Sequence, residues 1–105
     1  MFERLPLHHN LSMSQILERS VVRAPGALAR EIDGNFTIYD KQNDRVTVLN
    51  DSASAIWRLC DGRVGSAIAD ELTSTFDAGR GEIERDVAGV LEQLTARGLL
   101  VHPVP

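Results

Sequence analysis

Apolar positions along this chain recur at two spacings, and the change between them falls near residue 50. Over residues 27–49 the period is two. The run ALAREID (27–33) ends at Asp33-Gly34, a pair that tolerates positive φ and suits a tight hairpin turn. FTIYDK (36–41) then sets Phe36, Ile38 and Asp40 against Thr37, Tyr39 and Lys41. Gln42-Asn43-Asp44 supplies turn chemistry, and RVTVL (45–49) places Val46 and Val48 on one face with Arg45, Thr47 and Leu49 on the other. Three short strands joined by tight turns predict an antiparallel meander.

Beyond Asn50-Asp51-Ser52, a cluster suited to capping, the period becomes about 3.6: Ala53, Ile56, Trp57 and Cys60 recur at helical spacing. Asp61-Gly62 is expected to end that helix, since glycine favours the position just past a helix terminus. A second helix is predicted over 65–75, with Ile68, Leu72 and Phe76 four apart, and 77–81 reads as a loop with two glycines. The third, over 82–97, has the clearest pattern. Ile83, Val87, Val90, Leu91 and Leu94 form its apolar face, Glu82, Glu84 and Asp86 its start, Arg97 its end, and Gly98 follows as a cap. Residues 99–101 return to extended, branched chain before Pro103 and Pro105 stop it. The expected architecture is α+β: a three-stranded antiparallel sheet followed by three helices and a short tail.

Residues 1–24 fit none of this. Pro6, His8, His9, Asn10 and Ser12 interrupt the pattern, and only Ile16, Leu17, Val21 and Val22 have a core to join. They read as a loose N-terminal arm with room for one short helix, leaving 25–105 as the domain.

Composition agrees with one compact unit. The chain has 105 residues, 43% of them hydrophobic and 25% charged, enough apolar surface for a core and little surplus for a second domain. No apolar run approaches the roughly eighteen residues of a membrane helix, and MFERLPLHHN lacks the layout of a secretory signal. A cytoplasmic protein with no membrane partner is expected.

Candidate chemistry is sparse. His8, His9 and His102 sit at the two ends of the chain with no cysteine pair or HExxH spacing, so no metal site is expected. Gly62/Gly65 and Gly79/Gly81 lack the strand-turn-helix setting of a nucleotide loop and read as turns and caps, so no cofactor is expected. Glu82, Glu84, Asp86 and Glu92 have no partner His or Lys and read as a solvated helical face. Ser52 and Ser54 have no identifiable base. Cys60, beside Ile56 and Trp57, reads as a buried thiol. The expectation is a protein that is not an enzyme.

Charge decides between binding modes. The net charge of -4 is uneven: residues 1–50 carry six acids against six bases, residues 51–105 nine against five. The second and third helices have helix-turn-helix proportions, which raises DNA binding. The would-be reading helix, however, carries Glu82, Glu84, Asp86 and Glu92 against Arg85 and Arg97, and DNA affinity rests largely on Lys and Arg neutralising phosphates. A nucleic-acid partner is therefore not expected. Strand addition needs no basic patch, because an extended peptide can pair with an exposed sheet edge. A meander has two edges, and RVTVL carries no proline to block one.

The run 21–100 resembles the PqqD-like domain, also called the RiPP recognition element, which serves ribosomally made, post-translationally modified peptides. The residues that carry the resemblance are VVRAP (21–25), FTIYD (36–40), VTVLNDSASAIWRLCDG (46–62), IADEL (68–72) and ERDVAGVLEQLTARGLL (84–100). The resemblance implies a winged helix-turn-helix that binds the leader segment of a precursor peptide as an added antiparallel strand. It implies partners as well: the precursor peptide, and a modifying enzyme such as a radical SAM protein or a leader peptidase. Carried onto this chain, the groove would lie between Arg45, Val46, Thr47, Val48 and Leu49 on the third strand and Arg85, Asp86, Gly89, Val90 and Gln93 on the third helix. Gly89 either opens that groove or packs closely against the protein's own sheet. On this reading Thr47→Pro would strip a main-chain donor from the peptide-binding edge. Where PqqD proper tends to have a leucine-rich second strand and a Pro-Glu step, this chain has YDKQNDRV, which points to a relative serving another peptide, such as a lasso peptide or a radical-SAM-modified product.

Overall fold

The computed structural model describes residues 12–103. His8 and His9 lie outside them. The first described element is helix α1 (Met13–Glu18), followed by strand β1 (Ser20–Arg23). Ser12 starts α1 with a capping box: its hydroxyl accepts from the Gln15 N–H at 3.2 Å, and the Gln15 side chain accepts from the Ser12 N–H at 3.0 Å.

This corrects the expectation of a loose arm for residues 12–24. Val21 is 1% exposed and Leu17 is buried with it, so both belong to the core. Burying a side chain of that size contributes about 1.5–3 kcal/mol, enough to hold a short helix and strand that have little propensity of their own.

The meander follows as β2 (Ala27–Ile32), β3 (Asn35–Asp40) and β4 (Arg45–Val48), in the order β2-β3-β4 and antiparallel throughout. Its first turn is the expected one, with φ of 55° at Asp33 and 89° at Gly34, the two positive values a type I′ hairpin needs. In the second turn Asp40 is buried. Its carboxylate accepts from the backbone N–H groups of Gln42 and Asn43 and from Asn43 Nδ2 at 2.7 Å.

Helix α2 (Asp51–Arg58) is capped by Asn50, whose side chain accepts from the Ala53 N–H at 2.9 Å. It stops before the expected Asp61-Gly62. Arg23 donates to the carbonyls of Trp57 and Arg58 there, placing a cation at the negative end of the helix. Asp61-Gly62 instead opens a strand that the apolar pattern does not announce, β5 (Asp61–Val64). Gly62, at φ 110°, sits where the pairing of β5 with β1 slips by one residue, a bulge that favours glycine. The order is therefore not three strands followed by three helices: β5 separates α2 from α3 (Gly65–Thr75) and pairs with β1, and β6 (Leu100–Val101) pairs with the other side of β1.

Helix α4 (Arg80–Ala96) ends as expected. Gly98 takes φ 76°, with Leu99 N–H donating to Leu94 O at 2.9 Å and Gly98 N–H to Thr95 O at 3.0 Å, the paired bonds of a Schellman cap. The apolar stripe Ile83, Val87, Leu91 and Leu94 meets Ile56 and Trp57 of α2, Ile68 and Leu72 of α3, and Ile38 and Leu49 of the meander in one core. Gly65 makes α1, α3 and α4 fit together: a Cβ there would stand 3.0 Å from Leu17 Cα and 3.1 Å from Leu91 Cδ1.

Candidate functional site

The backbone of β4 is divided between an inner and an outer side. Leu49 N–H donates to Phe36 O at 2.9 Å, and the register pairs Ile38 with Thr47 and Asp40 with Arg45. Antiparallel pairs alternate between those that exchange hydrogen bonds and those that do not. Arg45, Thr47 and Leu49 therefore turn their N–H and C=O groups toward β3, while Val46 and Val48 turn theirs outward. Among the described residues nothing pairs with that edge.

The side chains follow the opposite logic from the apolar pattern. Thr47 and Leu49 point into the protein and are buried, whereas Val46 and Val48 are 60% and 72% exposed. Ser54, itself buried, closes the end of the strand pair. Its hydroxyl accepts from the Phe36 N–H at 2.9 Å and lies 3.4 Å from Leu49 O, occupying the place where the two strands part. Ser54 is thus a structural hydroxyl.

Helix α4 stands across from this edge, and a groove of about 490 Å³ separates them. Its helical wall comes from Arg85, Asp86, Gly89, Val90, Gln93 and Arg97, positions that recur every four residues and so share one face. The stripe is adjacent to the core stripe, which is why one helix serves both. From Arg85 to Arg97 the wall runs about 18 Å at 1.5 Å per residue, and the opposite side is formed by Thr47, Val48, Leu49 and Asn50, about 10 Å of extended chain at 3.3 Å per residue. Arg97 Nη1 donates to Thr47 Oγ1 at 3.3 Å and closes one end. Asn50, Ser52 and Ala53, from the start of α2, form the other.

Of the positions expected from the sequence, Thr47, Val48, Leu49, Arg85, Asp86, Gly89, Val90 and Gln93 line this one groove. Arg45 and Val46 lie on the same strand but do not line it. Asn50, Ser52, Ala53, Leu94 and Arg97 line it without having been anticipated. Arg97 had a signal in the sequence, being four residues beyond Gln93, but its place at the end of the helix gave it a complete explanation as a dipole partner. The position of Thr47 also overturns the proline argument: its N–H faces β3, so Thr47→Pro would damage the sheet rather than strip the free edge.

Gly89 is settled by geometry. A Cβ built there meets nothing within 4 Å, so close packing is not its reason. It leaves the middle of the helical wall without a side chain.

The titratable groups away from the groove serve the fold. Burial pushes the Cys60 thiol up to about 12, against the weaker pull of Arg23. Its Sγ lies 3.3 Å from Ile56 O. Asp40 is held below the usual carboxylate value, first by the Asn43 side chain and then by the backbone N–H groups of Asn43 and Gln42. The Arg63 side chain holds Asp61 down at about 2. Among the described residues no three His, Cys, Asp or Glu side chains cluster as metal ligands would.

Residues 36–100 match the family described as coenzyme PQQ synthesis protein D (PqqD). The chain belongs to the PqqD family. A relative from Rhodopseudomonas palustris (strain BisB5), a PqqA binding protein, is 34% identical over 99 residues, 93% of this chain and 79% of its own length. The corresponding protein of strain TIE-1 is 33% identical over the same share. Among solved structures, a lasso peptide synthetase B1 complexed with its leader peptide superposes with a TM-score of 0.69 at 28% identity, covering 78% of this chain and 98% of that one. The PqqD part of Methylobacterium extorquens PqqCD, a stand-alone RiPP recognition element, gives 0.68 at 26% identity over 90% and 98%. TbiB1 in complex with the TbiA(beta) leader peptide gives 0.72 at 22% identity over 80% and 99%, a likeness of fold. The α+β arrangement of antiparallel sheets and helices in this PqqD-family chain is thus that of known recognition elements.

Proposed function

We propose that this chain binds the leader segment of a ribosomally made precursor peptide as a strand added to the outer edge of β4. It is a binding domain and not an enzyme, and it presents the rest of the peptide to a separate modifying enzyme or leader peptidase. The observation that carries the reading is the pairing of an unused edge, whose Val46 and Val48 backbone groups face outward, with a helix that holds back its bulk at Gly89. Peptide binding by its PqqD-family relatives and structural neighbours supports the reading. Tethering explains the benefit to the enzyme, since the second encounter becomes effectively intramolecular.

The α3–α4 pair reads as the helix-turn-helix of a winged helix and the β2–β4 meander as its wing, which keeps DNA as the competing ligand. The charges of α4 oppose it: Glu82, Glu84, Asp86 and Glu92 outnumber Arg80 and Arg85. No helix among the described residues is long and apolar enough to cross a membrane.

The test uses two probes, a synthetic PqqA peptide and a peptide selected on the full chain from a random phage-displayed library. Binding of either is expected to vary little with salt, where DNA binding would fall steeply. Val48→Pro, which removes an outward N–H and leaves every bond to β3 in place, is expected to weaken binding at least tenfold with little change in melting temperature. Unchanged affinity of the Val48→Pro variant would overturn strand addition.

A further inference from the structure

Arg97 does more at the end of the groove than complement the helix dipole. A cation kept for that purpose alone would lie back over the last carbonyls of α4. This side chain crosses the groove instead, and its Nη1 donates to Thr47 Oγ1 at 3.3 Å. Thr47 is 8% exposed, so the acceptor is held in place by the core. Among the described residues this is the only side-chain hydrogen bond Arg97 makes, and no carboxylate lies within ion-pair distance of it. A guanidinium carries five donors in one planar fork, so most of its capacity is open to whatever enters the groove.

The register of β4 says which peptide residue that would be. Thr47 turns its backbone to β3, so toward an added strand it is a position without hydrogen bonds. A strand that continues the antiparallel order of the meander sets one residue directly across from it. Such cross-strand partners point to the same face, with Cβ atoms about 4.5–5.5 Å apart. The side chain across from Thr47 therefore enters the groove beside the Arg97 guanidinium. Arg45, two residues before Thr47 on the same face of β4, adds a second cation at this end. The carboxylate opposite Arg45, Asp40, already accepts from Gln42 and Asn43. The acid of the helical wall, Asp86, lies at the other end, about 16 Å away along α4 at 1.5 Å per residue.

We propose that Arg97 selects peptides with an aspartate or glutamate at the residue that stands across from Thr47. The proposal rests on the strand-addition reading and adds a choice of register to it. Main-chain hydrogen bonds along an edge do not distinguish one register from the next. A slip of one residue turns the acid to the outer face, away from Arg97. A slip of two keeps it on the groove side but carries it about 7 Å along the strand, out of reach of the fork. Two parallel N–H···O bonds between guanidinium and carboxylate make the preference geometric as well as electrostatic.

The probe is a peptide selected on the full chain from the random phage-displayed library, titrated by fluorescence anisotropy. Selected sequences are expected to share one acidic position, and a set without one overturns the proposal. Hydrogen bonds to charged groups correspond to roughly a 10-fold or larger change in affinity, and Arg97→Gln is expected to cost the parent peptide that much. Replacing the peptide acid by its amide should cost the same, and joining the two changes should cost nothing further, since both remove one contact. Arg97→Glu is expected to bind a peptide with lysine at that position better than the parent. One ion pair adds far less salt dependence than the many phosphate contacts of DNA. A residue that only supported the end of α4 would weaken the acidic and the amide peptide alike on Arg97→Gln, and that result overturns the proposal, as do losses that multiply in the combination. If Val48→Pro abolishes binding while Arg97→Gln keeps full affinity for the acidic peptide, the charge selection alone fails. If Val48→Pro binds normally, strand addition fails and the charge selection with it.

Discussion

Thr47 and Val48 are neighbours with opposite tasks, and a single proline separates them. At Thr47 it would leave Ile38 O without its donor inside the sheet, at a cost of about 1–3 kcal/mol. Thr47→Pro is therefore expected to lower the denaturant midpoint clearly, a result that chemical unfolding followed by circular dichroism would check. Asp40 offers a second test at this scale. Its carboxyl is held below its ordinary value in the folded state, so the ionised form stabilises the fold above the usual carboxylate range, and that contribution disappears as pH falls through the folded value. Asp40→Asn should melt lower than the parent at pH 7, and the gap should close as the pH drops below about 4. The roles of these residues were only half legible in the sequence. The alternation in RVTVL marks a strand and two faces, yet it does not say which pair takes the buried place. Thr47 and Leu49 take that place because the turn at 41–44 and the Leu49–Phe36 bond fix the register, and a slip of one residue would exchange the faces.

At the scale of elements, α4 carries two functions on adjacent stripes, and Gly89 lies on the one that faces the groove. A glycine in a helix interior costs about 1 kcal/mol relative to alanine, and here no contact offsets it. Gly89→Ala is expected to stabilise the domain by about that amount, seen as a rise in melting temperature, while it narrows the groove and weakens peptide binding. Stability gained together with binding lost is the mark of a residue kept for its ligand. Helices α2, α3 and α4 were readable from their apolar period, helped by the Asn50 cap at the start of α2 and the Gly98 cap at the end of α4. Strand β5 was not, since DGRV has neither alternation nor branched residues at both ends. It is a strand because β1 pairs with it, and Gly62 absorbs the misfit.

For the whole molecule, the decisive element is the one with the weakest sequence signal. Strand β1 lies between β5 and β6, and Val21 and Leu17 complete the core, so the domain does not begin at residue 25. A chain lacking residues 1–24 is expected to lose its cooperative thermal transition, measurable by calorimetry, whereas a loose arm could be removed without effect. The S-x-x-Q capping signature at Ser12 was present in the sequence, but a six-residue helix and a four-residue strand cannot be told from a loop until the surface they cover is known. The sequence by itself determined the α+β class, the meander with its hairpin turn, the boundaries of α3 and α4 to within two residues, and the absence of a basic reading helix. It did so because local periodicity, turn residues and charge are properties of short stretches of chain. Only the tertiary structure decided which face of β4 is buried, that residues 12–24 belong to the domain, that Gly89 opens a groove, and that Arg97 closes one end of it. Those features depend on contacts between residues distant in the chain, and no local pattern encodes the space left between two elements once they have packed.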